Sequence, residues 1–210
     1  MYVPAHFQAT PEQLSVMLAD PGLAELVTPG PDGLVATPLP VLYQPAQDGL
    51  GVLQGHVARN NPHWRAAGAA AGESLAIVRG PDAYISPSWY ASKAEHGRVV
   101  PTWNYLTVHL YGRLVVHEST DWLLELVTRL TAVHEAAVGS SWQPTDAPAA
   151  YLEGQLRAIV GLELVISRVE AKAKLSQNRP VADQRSVTEA LGPLDGAHHV
   201  AALMREHLDG

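Results

Sequence analysis

The chain has 210 residues and a mass of 22.5 kDa, long enough to bury about 70% of its unfolded surface around one core, with room for a helical appendage. Its 47% apolar and 17% charged residues exclude a disordered chain, and a net charge of -7, from 14 Lys plus Arg against 21 Asp plus Glu, supplies no basic field for nucleic acid or an anionic membrane. The absence of cysteine excludes disulfides, thiolate metal sites and a cysteine nucleophile, and suits a cytoplasmic protein.

MYVPAHFQATPEQ, at the start, lacks a basic stretch followed by an apolar one, and no apolar run reaches membrane-spanning length. Thr10 is a helix cap, Pro11 suits the first helical position, Gln13 completes a capping box, and Leu14, Met17 and Leu18 form an apolar stripe that Pro21 and Gly22 end. A short segment from Leu23 to Thr28 leads into a turn over Pro29 to Gly33. Leu34 to Tyr43 and Leu50 to Gly55 then read as antiparallel strands.

Asn61-Pro62 starts a short Ala-rich helix, His63 to Ala71, which Gly72 ends. Ser74 to Arg79 is a strand, and Ala83 to Ser86 resumes it after a break at Gly80-Pro81. Tyr105 to His117 alternates along a long strand. Leu106, Val108, Leu110, Gly112, Leu114 and Val116 lie on its core face, and the opposite face, with Tyr105, His109 and Tyr111, meets solvent, a ligand or a second subunit. Ser119 or Thr120 caps the longest helix, from Asp121 to about Val138. A modest helix over 149–158 precedes a strand from Val160 to Val169, and the tail after Pro180 is helical with a break at Gly192-Pro193. Strands in the middle with helices at the connections and the end describe an α+β protein around a small antiparallel barrel or sheet.

Three segments carry chemistry. GHVARNNPHW places His56, Arg59 and Asn60 where a strand runs into a helix start, a position that favours phosphate, although alone it reads first as a helix cap with a surface arginine. EAKAKLSQNR ends an apolar strand with Lys172, Lys174, Ser176, Gln177, Asn178 and Arg179, donors suited to a phosphate or a heterocycle edge, or equally to a solvated turn. Between them, GPDAYISPSWYASKAEHGRVVPTWNY gathers Tyr84, Trp89, Tyr90, Trp103 and Tyr105 beside prolines, hydroxyls and an amide, which resembles a binding surface more than a core strand. The ten histidines form no HExxH, and no GxSxG, Walker loop or GxGxxG occurs. Residues 11–27 lack a recognition helix for DNA.

Taken together, MYVPAHF, GHVARNNPHW, GPDAYISPSWY, VPTWNYLTVHLYG and KLSQN resemble the PaiB-type family of FMN-binding negative transcriptional regulators over nearly the whole length. The resemblance implies a six-stranded antiparallel split β-barrel with peripheral helices, working as a homodimer with FMN near the subunit interface. It implies a split-barrel domain over 1–180 and a C-terminal helical extension over 181–210 packed on it. By analogy, His56, Val57, Ala58, Arg59 and Asn60 hold the FMN phosphate. Ser86, Ser88, Trp89, Tyr90, Thr102, Trp103 and Asn104 line the isoalloxazine pocket, and Lys174, Ser176 and Gln177 close it. The segment between, ASKAEHGRV, reads as a mobile flap. Ala171 and Ala173 stand where the family pattern leads one to expect a Gly and a bulky aromatic, which implies a more open flavin face or a weaker affinity for the flavin. Three activities are compatible with the sequence: a flavin-binding regulator or sensor, reaching DNA directly or through a DNA-binding partner; an FMN-dependent oxidoreductase like the pyridoxamine-phosphate oxidases or flavin reductases; and a structural dimer without cofactor.

Overall fold

The structure is a computed structural model that describes residues 1–69 and 72–209, with only the backbone of 67–69. In chain order its elements are α1 (Pro11–Ala19), β1 (Leu23–Gly30), β2 (Gly33–Gln44), β3 (Val52–Ala58), α2 (His63–Ala69), β4 (Ser74–Ile85), α3 (Lys93–His96), β5 (Thr102–His117), α4 (Thr120–Ala137), α5 (Ala149–Arg157), β6 (Ile159–Lys174), α6 (Val181–Leu191) and α7 (His198–Asp209). The strand order is β1-β2-β3-β6-β5-β4, and β4 pairs back onto β1, so the antiparallel sheet closes into a six-stranded barrel. The α+β class and the six strands match the expectation from sequence.

Local chemistry explains most boundaries. Thr10 and Gln13 cap α1 reciprocally: the Gln13 amide accepts from Thr10 N at 3.0 Å, and Thr10 Oγ1 accepts from Gln13 N at 3.2 Å. The turn expected over Pro29 to Gly33 is tighter than that, because β1 continues to Gly30, which pairs directly with Gly33. Gly33 adopts a φ of 122°, a conformation that costs glycine no steric penalty. The Ser119 hydroxyl caps α4, accepting from Trp122 N at 3.5 Å.

Several expectations need correction. The break at Gly80-Pro81 does not occur, and β4 runs through it. Pairing of β4 with β1 ends at Val78, so on that side Pro81, which lacks an N–H, interrupts no ladder. β6 does not stop at Val169 but reaches Lys174. Ala173 is fully buried, and its carbonyl accepts from Gln177 Nε2 at 2.6 Å, so this alanine belongs to the core rather than to an open flavin face. The predicted end of the helix after Ala69 lies outside the described residues.

The supposed flap is also tied down at its start. Ser92 is buried, its backbone N–H donates to Asp183 Oδ1 at 2.8 Å, and its hydroxyl donates to Oδ2 at 2.7 Å. Lys93–His96 then forms one helical turn, and Gly97 ends it in the left-handed region.

Contacts divide the chain into two compact units. The first comprises residues 1–15, 79–108 and 170–210. Its core includes Ile85, Leu106, Leu175, Leu191, Val200 and Met204, all at 4% exposure or less, each contributing about 1.5–3 kcal/mol relative to an exposed side chain. The second comprises residues 16–78 and 109–169, and Leu26, Leu39, Val41, Leu53, Leu162 and Leu164 face one another inside it. No helix among the described residues is long and apolar enough to cross a membrane.

Candidate functional site

In the first unit, the ends of β5 and β6 bring six of the expected residues together. Lys174, at the end of β6, donates from Nζ to the hydroxyl of Thr102 and to the carbonyl of Trp103, the latter at 2.5 Å. Burial lowers its pKa, and the neighbouring Lys172 and Arg179 lower it further. The indole of Trp103 is 53% exposed and meets Tyr84, 46% exposed, edge to face with ring centroids 6.0 Å apart. The alternation of β5 sends Trp103 and Tyr105 away from buried Asn104 and Leu106, and Lys172 stands 5.4 Å from the Tyr105 ring.

Asn104, Ser176 and Gln177 do different work. Asn104 is fully buried; its amide donates to Ser176 Oγ at 2.9 Å and to Met204 Sδ at 3.4 Å, and Ser176 Oγ lies 3.2 Å from Asn104 Oδ1. Ser176 holds a left-handed φ of 67°. Gln177 folds back, accepting from Leu175 N at 2.7 Å and donating to the Ala173 carbonyl. These three side chains shape the turn that follows Lys174.

Ser86, Ser88, Trp89 and Tyr90 lie in the same unit, on a single 3-10 turn, Pro87–Trp89. Ser86 Oγ caps it by accepting from Ser88 N at 3.2 Å. Trp89 is half-buried and Ser88 exposed, whereas Tyr90 is buried beneath the Arg179 guanidinium, which sits 4.7 Å from its ring. Burial pushes the Tyr90 phenol above its usual range.

His56 to Asn60 lie in the second unit, at the end of β3. Val57 points inward and is buried; Ala58 and Asn60 are exposed. Arg59 is anchored: Nε donates to the Arg157 carbonyl at 2.8 Å, Nη2 to the Ile159 carbonyl at 3.2 Å, and Nη1 meets Glu118 at 2.5 Å. A guanidinium has five N–H donors, so two remain for an anion. Asn61 occupies the first N–H of α2, accepting from His63 N at 2.9 Å, so less of that helix start is open than its sequence implies. His56 borders an apolar pocket of about 290 Å³ with Trp142 and Tyr151, and burial lowers its pKa.

Sequence reasoning missed three polar networks. His63 is fully buried and binds Thr37 Oγ1 through Nδ1 and Thr28 Oγ1 through Nε2, both at 2.9 Å, while Thr28 meets Ser74 at 3.0 Å. Gln54 joins Glu163 at 2.6 Å to Arg129 at 2.5 Å, and His117 stacks on Trp122 with centroids 4.0 Å apart. The third is the Ser92–Asp183 clasp. The only sequence signal was a polar residue standing in an apolar pattern.

The donor chemistry within each unit is compatible with a flavin: in the first, the exposed aromatic surface of Trp103 and Tyr84 stands beside the Lys174 cation, and in the second, Arg59 keeps two N–H donors available for an anion. Among the described residues no group of three or more His, Cys, Asp or Glu could hold a metal ion.

Comparison with known proteins agrees. The family model described as "Putative FMN-binding domain" matches residues 1–168. The chain is 33% identical over 211 residues to the Protease synthase and sporulation protein PAI 2 of Bacillus subtilis, covering 99% of this chain and 98% of that one. Its fold is similar to that of a conserved hypothetical protein, Rv2991, of Mycobacterium tuberculosis, at a TM-score of 0.58 and 13% identity over 86% of this chain and 94% of the other. It is also similar to that of the FAD and heme binding protein of Mycobacterium smegmatis, at 0.53 and 19% over 84% and 77%. With a family model spanning four-fifths of its length and a bacterial relative aligned end to end, the chain belongs to the FMN-binding domain family, and its cofactor is FMN.

Proposed function

We propose that the protein is a homodimeric, cytoplasmic flavin-responsive regulator similar in role to the PaiB-type repressors, with FMN as the bound signal. The observation that carries this reading is the half-exposed Trp103 beside Lys174, whose Nζ is fixed by Thr102 and the Trp103 carbonyl. An aromatic face and a cation held at its margin suit the flavin ring and its electron-rich pyrimidine edge. Ser86, Ser88 and Trp89 complete the ring contacts, with Tyr90 buried under Arg179 behind them and Asn104, Ser176 and Gln177 fixing the turn that carries Lys174. The His56 to Asn60 segment is proposed separately for the phosphate, through Arg59, Asn60 and backbone N–H groups.

FMN supplies redox-sensitive binding chemistry when bound; the chain supplies position and access. The Bacillus subtilis relative is named for protease synthesis and sporulation, which supports regulation over metabolism. The net charge of -7 favours control through a DNA-binding partner rather than a direct grip on the duplex.

The test is an FMN titration followed by absorbance and tryptophan quenching. Wild type is expected to bind, with Lys174→Met and Arg59→Ala each weakening affinity by about 10-fold or more, as expected for losing a charge-assisted hydrogen bond. Unchanged dissociation constants in both variants would sink the two assignments. NADH or NADPH oxidation faster than with free FMN would replace the regulator with the oxidoreductase reading.

A further inference from the structure

A cleft of about 360 Å³ opens on the unit formed by residues 1–15, 79–108 and 170–210, and the flavin reading does not account for its chemistry. Tyr84 and Trp89 form its aromatic walls, Leu191 and Ala197 supply apolar surface, and Asp82 and Asp195 complete its lining. The elements that build it are the outer end of β4, the 3-10 turn after it, and the connection from α6 to α7.

Two aromatic residues line the cleft, and the face of an aromatic ring carries the negative end of a quadrupole that attracts cations. The carboxylates act in the same direction. Asp82 is partly satisfied by Arg79, 3.3 Å away on the exposed surface. Asp195 is exposed and has no ion-pair partner among the described residues. The cationic side chains near it are Arg79 and Arg205, the latter close to Gly192 beside Leu191, while His198 and His199, following Ala197 in the chain, have ring centroids 4.0 Å apart at a tilt of 41°. A phosphate would meet two carboxylates here, so the cleft is unsuited to the anionic end of FMN.

We propose that this cleft binds a small organic cation of the alkylammonium class, with its charged methyl or methylene groups against Tyr84 and Trp89 and its field balanced by Asp195. The size falls within the range of small-molecule sites, about 300–1,000 Å³. The site shares Tyr84 and Trp89 with the surfaces offered to the flavin but does not rest on that reading: the charge preference comes from Asp82, Asp195 and the two aromatics.

Isothermal titration with choline tests this, alongside its neutral isostere, in which carbon replaces the quaternary nitrogen at the same shape. Choline is expected to saturate one site per chain, and the isostere to bind at least about 10-fold more weakly, the discrimination a desolvated cation–π contact provides. Asp195→Asn, an exposed loop substitution that leaves folding intact, should weaken choline by about 3- to 10-fold without changing the isostere; Trp89→Leu, checked for folding by circular dichroism, should weaken it by about 10-fold. Equal binding of choline and isostere would overturn the proposal, as would no saturation by choline or an unchanged affinity in Asp195→Asn. Repeating the titration with FMN at saturation separates the two readings. Choline binding that persists with FMN bound, or in a protein that binds no FMN, supports a distinct cation site; mutual exclusion assigns the cleft to the flavin and overturns it.

Discussion

His63 shows how much a single buried side chain can do away from any ligand. Both of its nitrogens are bonded, to Thr37 and Thr28, and burial lowers its pKa. A histidine whose folded pKa is depressed costs nothing while both states are neutral, above the ordinary value of about 6.5. As pH falls through that value the unfolded chain takes up the proton first, so stability is lost toward acid. His56 shifts in the same direction. Thermal melts should therefore fall between about pH 7.5 and about pH 5.5. His63→Gln should cost about 1–3 kcal/mol by leaving a buried hydroxyl unsatisfied and should also flatten part of that acid slope. An unchanged slope in the variant would assign the pH dependence elsewhere. None of this was legible in the sequence, because Thr28, Thr37, His63 and Ser74 span 46 residues and nothing local links them. Trp103 and Lys174 were legible, because an aromatic beside hydroxyls and a lysine at a strand end are local patterns. Asn104 and Ser176 were legible as residue types, but which of their atoms face inward is decided only when β5 and the turn after β6 meet.

Among the elements, β5 was the most readable, since its alternation holds from Asn104 to Gly112. β6 was read five residues short because Glu170-Ala-Lys-Ala-Lys174 carries no β-branched or large apolar residue, yet Ala171 and Ala173 still alternate with the two lysines. The segment after Tyr90 misled for the opposite reason. Its polar, glycine-bearing composition reads as mobile, whereas two hydrogen bonds to buried Asp183 on α6 clasp its first residues. Ser92→Ala removes one of them. It is expected to speed tryptic cleavage at Lys93 and Arg98 several-fold while lowering overall stability by only about 1–2 kcal/mol, since a hydrogen bond to a carboxylate holds this segment locally. Cleavage at the wild-type rate would mean that the clasp does not control the segment.

At the scale of the whole molecule, composition and charge set limits that the fold respects, but the strand order does not follow from them. The pairings of β3 with β6 and of β1 with β4 join residues far apart in sequence, and periodicity within a strand says nothing about its neighbours. Motif order carried that information instead, through likeness to a family whose model spans residues 1–168. The homodimer is a prediction at this scale: light scattering at micromolar concentration should return twice the 22.5 kDa chain mass. A mass of one chain would remove the dimer from the proposal.

The left-handed Ser176 has a consequence for descent. A serine with positive φ is disfavoured by about 1 kcal/mol or more, and here it sits where its hydroxyl meets the buried amide of Asn104, 72 residues away in the chain. Replacing either partner alone strands a polar group in the interior. Across generations of related chains, these two distant letters should therefore change together or not at all, as though they were one inherited character.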